Sequence, residues 1–576
     1  MHRLREVLPS FVSIVGLALA ATAVSLLLDP KVELASNPWI IAVNCLPMLL
    51  LALGLLALTR KPLLSLAIAA VPLLLLHLAN HLKLQILGNV VMMQDLTLLT
   101  QVATNPDLFS SYLGIDAMHV AWLLLVLATL LLLAWKEPRL LSRNIMLRGA
   151  LAVLAVAGLA FLFTGGNRVQ ALYSYGEVKL RSIPFPQKVV NRVGLLGSML
   201  YFNSREAGNP DDVDLTRVQA FLHSHGNDIE RRKTKPMPSP APDIIMIQVE
   251  ALFDPSMLAG MEGSGMFADF HALQQQGTYG SLHSPAFGGI TIRAEFEALT
   301  AYPFAAFRDS VYPYYGTVNT GTNSLARLLD HRGYRTTAVH PFRAGFWNRK
   351  TALNLLGFES THFIEAFEHA RKRGPYVADE ELFSRVLRYA EQPGPDLVFA
   401  ITMENHGPWL WPARLDKYSS EWEKLPVPAS LHGEARIELQ KYLYHVQHGQ
   451  HALAALANAV MRRKQPTLLV VYGDHLPAFR AVFKQARFAN GLPAKAQRVP
   501  YFILDNHHPV SRRVDSNLYF LPAMVLAQAG IPMNEYFAAA IQASQGFVPG
   551  VGRGTPTERL MVQMARLDYA GQLPRH

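Results

Sequence analysis

Apolar residues follow two different rhythms along this chain. Within residues 1–165 they gather into five long runs, at roughly 9–28, 39–59, 62–81, 118–135 and 147–164, nearly free of internal charge. Such runs match the ~20 residues a helix needs to cross a hydrocarbon core about 30 Å thick. The third is the weakest, because His77, Asn80 and His81 crowd its end. Beyond residue 243 the runs are short and strand-like, at 243–249, 335–339, 396–402, 467–472 and 499–504. Helical patterns lie between them at 323–332, with Gly333 as a C-terminal cap, at 379–391 and at 434–463. This alternation predicts an α/β domain with a mostly parallel sheet and helices on both faces.

Basic residues assign an orientation. Arg3 and Arg5 precede the first run, Arg60 and Lys61 divide the second from the third, and Lys136, Arg139, Arg143 and Arg148 divide the fourth from the fifth. The alternate loops hold only Lys31 and Lys83. Positive charge marks the cytoplasmic side, so the N-terminus is expected inside and everything past about residue 165 outside. The first run lacks a small-residue cleavage site with a polar sequel and reads as a retained anchor. The expected layout is a five-helix transmembrane domain at 1–165, a connector along the membrane surface at 166–242, and an extracytoplasmic domain at 243–576. The connector contains an amphipathic stretch from Val213 to His223. It closes in the charged, proline-rich segment from Glu230 to Pro242, which reads as an extended linker.

Composition narrows the picture. The 53 Lys+Arg against 43 Asp+Glu leave a formal charge of +10 spread over both parts, compatible with anionic lipid headgroups. An outer domain with no aromatic-basic binding pattern argues against nucleic acid. The single cysteine, Cys45, falls in the second apolar run, so the outer domain must fold without disulfides.

Candidate chemistry sits where apolar runs end. Glu250 follows the run at 243–249, and Asp474-His475 follows the run at 467–472 and a glycine. Carboxylate and imidazole side chains at such ends form a compact ligand set for a divalent metal. Between them Gly288-Gly289-Ile290-Thr291 leads into a helical stretch at 292–300. Paired glycines let backbone approach an anion, and a helix N-terminus favours a phosphoryl group at Thr291. A threonine hydroxyl needs a metal or a base to act as a nucleophile. Taken alone, Glu250 reads as a solvated strand-end carboxylate, Thr291 as an N-cap and Asp474 as a turn residue. His445, His448 and His451 recur every three residues on the 434–463 helix, but that spacing turns the outer pair apart and reads as a solvated or groove-lining face.

Several stretches together resemble a known family. Glu250 after its strand, the Gly-Ile-Thr-x-x-x-Glu-Phe run at 289–296, Phe346-Trp347-Asn348-Arg349, Asn405-His406-Gly407-Pro408 and Tyr472-Gly473-Asp474-His475 resemble the lipoteichoic acid synthase and phosphoglycerol transferase family. That family sits in the alkaline phosphatase/sulfatase superfamily, and the wording Thr-Ile-Arg-Ala-Glu-Phe-Glu is nearer its Gram-negative glucan phosphoglycerol transferase branch. The resemblance implies that Glu250, Thr291, Asp474 and His475 ligate one divalent cation, manganese foremost, with magnesium or zinc as alternatives. It implies that Thr291 becomes transiently phosphoglycerolated, and that His340, Trp347, Arg349 and His406 contact the glycerol-phosphate group. Phosphatidylglycerol is the implied donor and a glucan or polyol phosphate the acceptor, at the inner (cytoplasmic) membrane of a bacterium with the catalytic domain in the periplasm.

Three alternatives are weighed beside it. Phosphoethanolamine transfer usually accompanies a disulfide-rich outer domain, which one cysteine excludes. Sulfate-ester hydrolysis needs a cysteine or serine convertible to formylglycine, which Thr291 cannot supply. A non-catalytic lipid- or glycan-binding membrane protein would tolerate degraded metal ligands, yet all four are present.

Overall fold

The computed structural model describes residues 15–16, 18–19, 22, 38–87, 90–98, 117–141, 143–174, 186–203, 213–307, 310–410, 420–479, 481–548 and 554–574. The chain divides into two compact units, Met1–Glu206 and Ala207–His576.

The first unit is built on helices α1 (Pro38–Thr59), α2 (Pro62–Leu87), α3 (Ala117–Lys136) and α4 (Ile145–Thr164). Among the described residues three helices are long and apolar enough to cross a membrane: Pro38–Thr59, Pro62–Leu84 and Ile145–Thr164. The run expected at 118–135 is helical too, and its apolar part, Val120–Lys136, is shorter than the other three. The run at 9–28 lies largely outside the described residues. α1 packs against both α2 and α4. The α1–α4 crossing is close because small residues line it: a Cβ on Gly158 would meet Leu50 at 2.8 Å, and one on Gly54 would meet Ala155 at 3.2 Å. Glu137 caps α2 by accepting from the N–H groups of Leu63 (2.7 Å) and Leu64 (2.8 Å). α3 leaves Trp122, Leu123, Leu131 and Trp135 exposed, an apolar face that water disfavours. Helices Asn167–Ser174 and Pro186–Asn203 also belong to this unit.

The second unit opens with helices Leu215–Ser224 and Gly226–Thr234. The charged stretch expected to be extended is therefore helical as far as Thr234. Two i,i+3 pairs support it, Asp228–Arg231 and Glu230–Lys233, and Lys233 also reaches Glu535 at 2.6 Å.

A nine-stranded sheet follows, made from β1 (Asp243–Val249), β2 (Thr278–His283), β3 (Arg335–Val339), β4 (Ser360–His362), β7 (Asp396–Ile401), β8 (Thr467–Gly473), β9 (Val499–Asp505), β10 (Arg512–Arg513) and β11 (Ser516–Asn517); β5 (Lys372–Arg373) and β6 (Tyr376–Val377) form a separate ribbon. The order is β10-β2-β9-β8-β1-β7-β3-β4, with β11 also on β2. Only β9 runs against its neighbours, so the expected mostly parallel sheet is what forms. All five anticipated strands are present. β1, β7 and β8 are buried at every residue, as central parallel strands covered on both faces must be. β2 escaped the pattern because Thr-Tyr-Gly-Ser-Leu-His alternates only weakly and carries Gly280 in its middle. Helices α5 (Ile292–Thr300), α6 (Asp379–Tyr389) and α7 (Gly433–Met461) complete the elements that matter below; α6 and α7 pack together.

The order β8-β1-β7-β3 places four parallel strands side by side, so all four end at one edge. The residues just beyond them, Asp474, Glu250, Thr402 and His340, share that edge, where ligands of open α/β sheets bind. Gly473 makes the closest approach possible there: a Cβ would lie 2.5 Å from the Leu252 carbonyl and 3.2 Å from Val499. Gly473→Ala is expected to cost about 1–3 kcal/mol, as overpacking does. A lowered unfolding midpoint of the detergent-solubilised chain checks this, and an unchanged midpoint rejects it.

Candidate active site

β1 ends in a sharp turn that aims Glu250. Its N–H donates to Thr402 Oγ1 (3.0 Å), and Ala251 then adopts φ +49°, so that its own N–H donates to Asp474 Oδ1 (2.8 Å). Asn405 Nδ2 donates to the carbonyls of Glu250 (3.2 Å) and Ala251 (3.4 Å). β8 delivers the other pair. Asp474 Oδ1 also accepts from the His475 N–H (2.7 Å), while His475 Nδ1 donates to the Leu476 carbonyl (2.9 Å). That bond leaves the Nε2 lone pair to face the carboxylates.

Thr291 arrives from a third direction. Gly288, Gly289 and Ile290 take φ of +67°, +140° and +59°, the last a strained value for a β-branched residue. The chain then enters α5 directly. Thr291 itself is helical (φ −45°, ψ −35°) and makes no side-chain capping bond. Its hydroxyl instead lies 3.4 Å from Glu250 Oε2 and 3.4 Å from His475 Nε2. An N-cap threonine would have spent that hydroxyl on its own backbone.

Glu250, Asp474 and His475 each offer a ligand atom within 4.8 Å of the others. His475 Nε2 stands 3.5 Å from Glu250 Oε1 and 3.4 Å from Asp474 Oδ2. Metal bonds of about 2.0–2.2 Å set neighbouring donors roughly this far apart. Asp474 Oδ2 is buried and has no hydrogen-bond partner among the described residues, which is costly for a carboxylate oxygen unless a cation meets it. Burial first, then the Asp474 charge, pushes the Glu250 carboxyl well above its ordinary range; burial also raises Asp474, against His475 and its two backbone donors. Two carboxylates held this way stay ionised only beside positive charge. The donor set fits a divalent cation. The solvated reading of Glu250 does not hold, since only 3% of it is exposed.

The residues expected to contact a phosphoryl group are only partly brought together. Arg349 is buried, with Nε (3.0 Å) and Nη2 (2.7 Å) on Glu295 Oε1 and Nη1 donating to His340 Nε2 (3.0 Å). One hydrogen on each terminal nitrogen remains for a further acceptor. His340 Nδ1 donates to the Ile401 carbonyl (3.1 Å), and burial with the Arg349 charge holds this imidazole far below its ordinary pKa. His406 Nδ1 donates to the Gly407 carbonyl (2.6 Å), and burial brings its pKa down to about 4, so it is neutral at pH 7 with Nε2 as acceptor. Trp347, at φ +56°, packs against Tyr312 (5.1 Å) and Phe346 (5.4 Å). Thr402 carried no signal in the sequence, and Asn405 and Glu295 received no role from it although both stand in the stretches that carry the resemblance; Glu295 stands four residues after Thr291 and so on the same helix face.

Residues 242–531 match the Sulfatase family. A Rhizobium meliloti protein named for cyclic beta-1,2-glucan modification is 26% identical over 421 residues, 70% of this chain; the chain spans 63% of that relative's length. The capsular polysaccharide biosynthesis protein RkpI of the same organism is 26% identical over 436 residues, 73% of each chain. The Streptococcus pyogenes phosphoglycerol transferase GacH, solved with sn-glycerol-1-phosphate, superposes with a TM-score of 0.54 at 19% identity, covering 63% of this chain and 95% of that one, which establishes the shared fold.

Mn²⁺ at a hundredfold excess over Kd is expected to stabilise the native chain by about 2.7 kcal/mol, read as a raised unfolding midpoint. Asp474→Asn keeps Oδ1 for both backbone donors and replaces the partnerless oxygen with an amide. Its midpoint without metal should be no lower than native, and its Mn²⁺ shift should vanish; a retained shift removes Asp474 from the ligand set.

Proposed function

Because this chain belongs to the Sulfatase family and its Thr291 hydroxyl lies beside the Glu250, Asp474 and His475 cluster, we propose that it is a metal-dependent phosphoglycerol transferase. It moves glycerol phosphate from phosphatidylglycerol to a glucan or polyol-phosphate acceptor at the outer face of a bacterial inner membrane. The observation that carries this reading is the Thr291 hydroxyl, 3.4 Å from both Glu250 and His475 and free of any capping role. Glu250, Thr291, Asp474 and His475 would hold the cation, manganese before magnesium or zinc. When bound, it supplies Lewis acidity that lowers the pKa of the Thr291 hydroxyl and offsets phosphoryl charge.

The side chains divide the remaining work. Thr291 Oγ forms a bond to phosphorus as the P–O bond to diacylglycerol breaks, and the proton that leaves Thr291 ends on the departing diacylglycerol oxygen. The result is phosphoglyceryl-threonine. An acceptor hydroxyl then gives its proton to the His406 Nε2, forms a new P–O bond, and Thr291 Oγ departs and is reprotonated. Arg349, fixed by Glu295 on the helix that starts at Thr291, turns its remaining N–H groups to the phosphoryl oxygens. The apolar helices suit a lipid donor whose leaving group stays in the bilayer. The relative named for glucan modification favours a glycan acceptor.

Purified chain with Mn²⁺ is expected to release diacylglycerol from phosphatidylglycerol, to leave phosphatidylethanolamine uncleaved, and to carry glycerol phosphate on the Thr291 peptide by mass spectrometry. Thr291→Ala should lower release by several orders of magnitude. Undiminished release in that variant would falsify the nucleophile assignment.

A further inference from the structure

Beneath the Glu250 turn lies a small cavity that the transfer reaction does not use. It measures about 20 Å³, room for one water-sized occupant, and its wall includes Val249, Asp379, Asn405, His445, Gly449 and Gln450. Three of the residues that line it carry a buried oxygen with no hydrogen-bond partner among the described residues: Asp379 Oδ1, Asn405 Oδ1 and Gln450 Oε1. Their side chains are 2%, 3% and 7% exposed. Neither amide is free to flip. Asn405 Nδ2 is committed to the Glu250 and Ala251 carbonyls, and Gln450 Nε2 to the Met266 carbonyl (2.8 Å). Both amide oxygens therefore stay unmatched.

The surroundings add negative charge. Asp379 receives no ion pair among the described residues, whereas Glu404 and Glu380 share Arg373 (2.9 and 3.0 Å) and Glu380 also takes Arg371 (2.7 Å). His445 holds Nδ1 3.5 Å from Glu404 Oε1. A single water has two hydrogens for three acceptors, so one would remain unmet. Gly449 supports the same conclusion. It stands inside α7, where glycine weakens a helix relative to alanine, and the one neighbour its Cβ would meet is Asp379 Oδ2, at 3.2 Å.

We propose that Asp379, Asn405 and Gln450 form a second cation site, distinct from the catalytic cluster, for a hard monatomic cation bound through oxygen. One carboxylate with two amide carbonyls is an oxygen set that suits Ca²⁺, Na⁺ or K⁺. Its occupant braces Asn405, which holds the two carbonyls of the Glu250 turn, and so joins the second site to the first.

The test uses the full chain in detergent, with saturating Mn²⁺, and adds CaCl₂, NaCl or KCl against a choline chloride background. Native protein should gain a further rise in unfolding midpoint with one of the three. Asp474→Asn, which lacks the Mn²⁺ response, should keep that rise, which separates this site from the catalytic one. Asp379→Asn and Gly449→Ala should both lose it while keeping the Mn²⁺ response. Absence of any rise in the native chain, or its persistence in both variants, overturns the proposal and leaves a water or a protonated Asp379 in the cavity.

Discussion

Two carboxylates held side by side and out of water are what the second unit is organised around. Glu250 and Asp474 meet because β1 and β8 are hydrogen-bonded parallel neighbours that end in register, Val249 opposite Gly473. Separating them would mean breaking the central pairing of the sheet. Keeping them is costly, since burial and mutual repulsion both disfavour their ionised forms. Backbone donors meet one oxygen of Asp474, and the other is left facing Nε2 of His475. Such an arrangement stores electrostatic demand that a divalent cation meets.

The hydroxyl partner comes from a separate device. Three consecutive positive-φ residues let the chain turn into α5 with Thr291 immediately before its first residue and its hydroxyl toward Glu250 and His475. Four residues on, Glu295 grips Arg349, the first residue of the helix Arg349–Leu355 beyond β3, and Arg349 in turn holds His340. Hydroxyl, guanidinium and imidazole are thereby set on one rigid assembly. Positional precision of this kind matters more to phosphoryl transfer than any single group's acidity.

Much of this was legible in the residues. Strands at 243–249, 396–402, 467–472 and 499–504 announced themselves because strands buried on both faces are mostly apolar, and 335–339 through its β-branched residues. Their ends pointed to Glu250 and Asp474-His475 for the same reason. β2, β4, β10 and β11 did not, being short or weakly alternating at or near the sheet edge. The histidines of α7 divided as their spacing implied: His451 is exposed beside Asp269, whereas His445 is buried against Glu404 and lines a cavity instead of a solvated face. The charged run before Pro236 became helix as far as Thr234, because i,i+3 pairs and Glu535 offset its repulsion.

By itself the sequence determined the division into apolar helices and an α/β domain and the elements that carry the candidate residues, since each follows from local periodicity; the roles of those residues came from strand ends and from a family resemblance. Only the tertiary structure decided which ends become neighbours: strand order is set by packing across the whole sheet, and no local pattern encodes it. That order turns Glu250, 224 positions from Asp474 by numbering, into its contact partner, assigns Arg349 to Glu295, and gathers three residues with partnerless oxygens around a cavity between α6, α7 and the β7 loop. Long-range pairing creates burial, and burial gives ordinary carboxylates and amides their chemical tension.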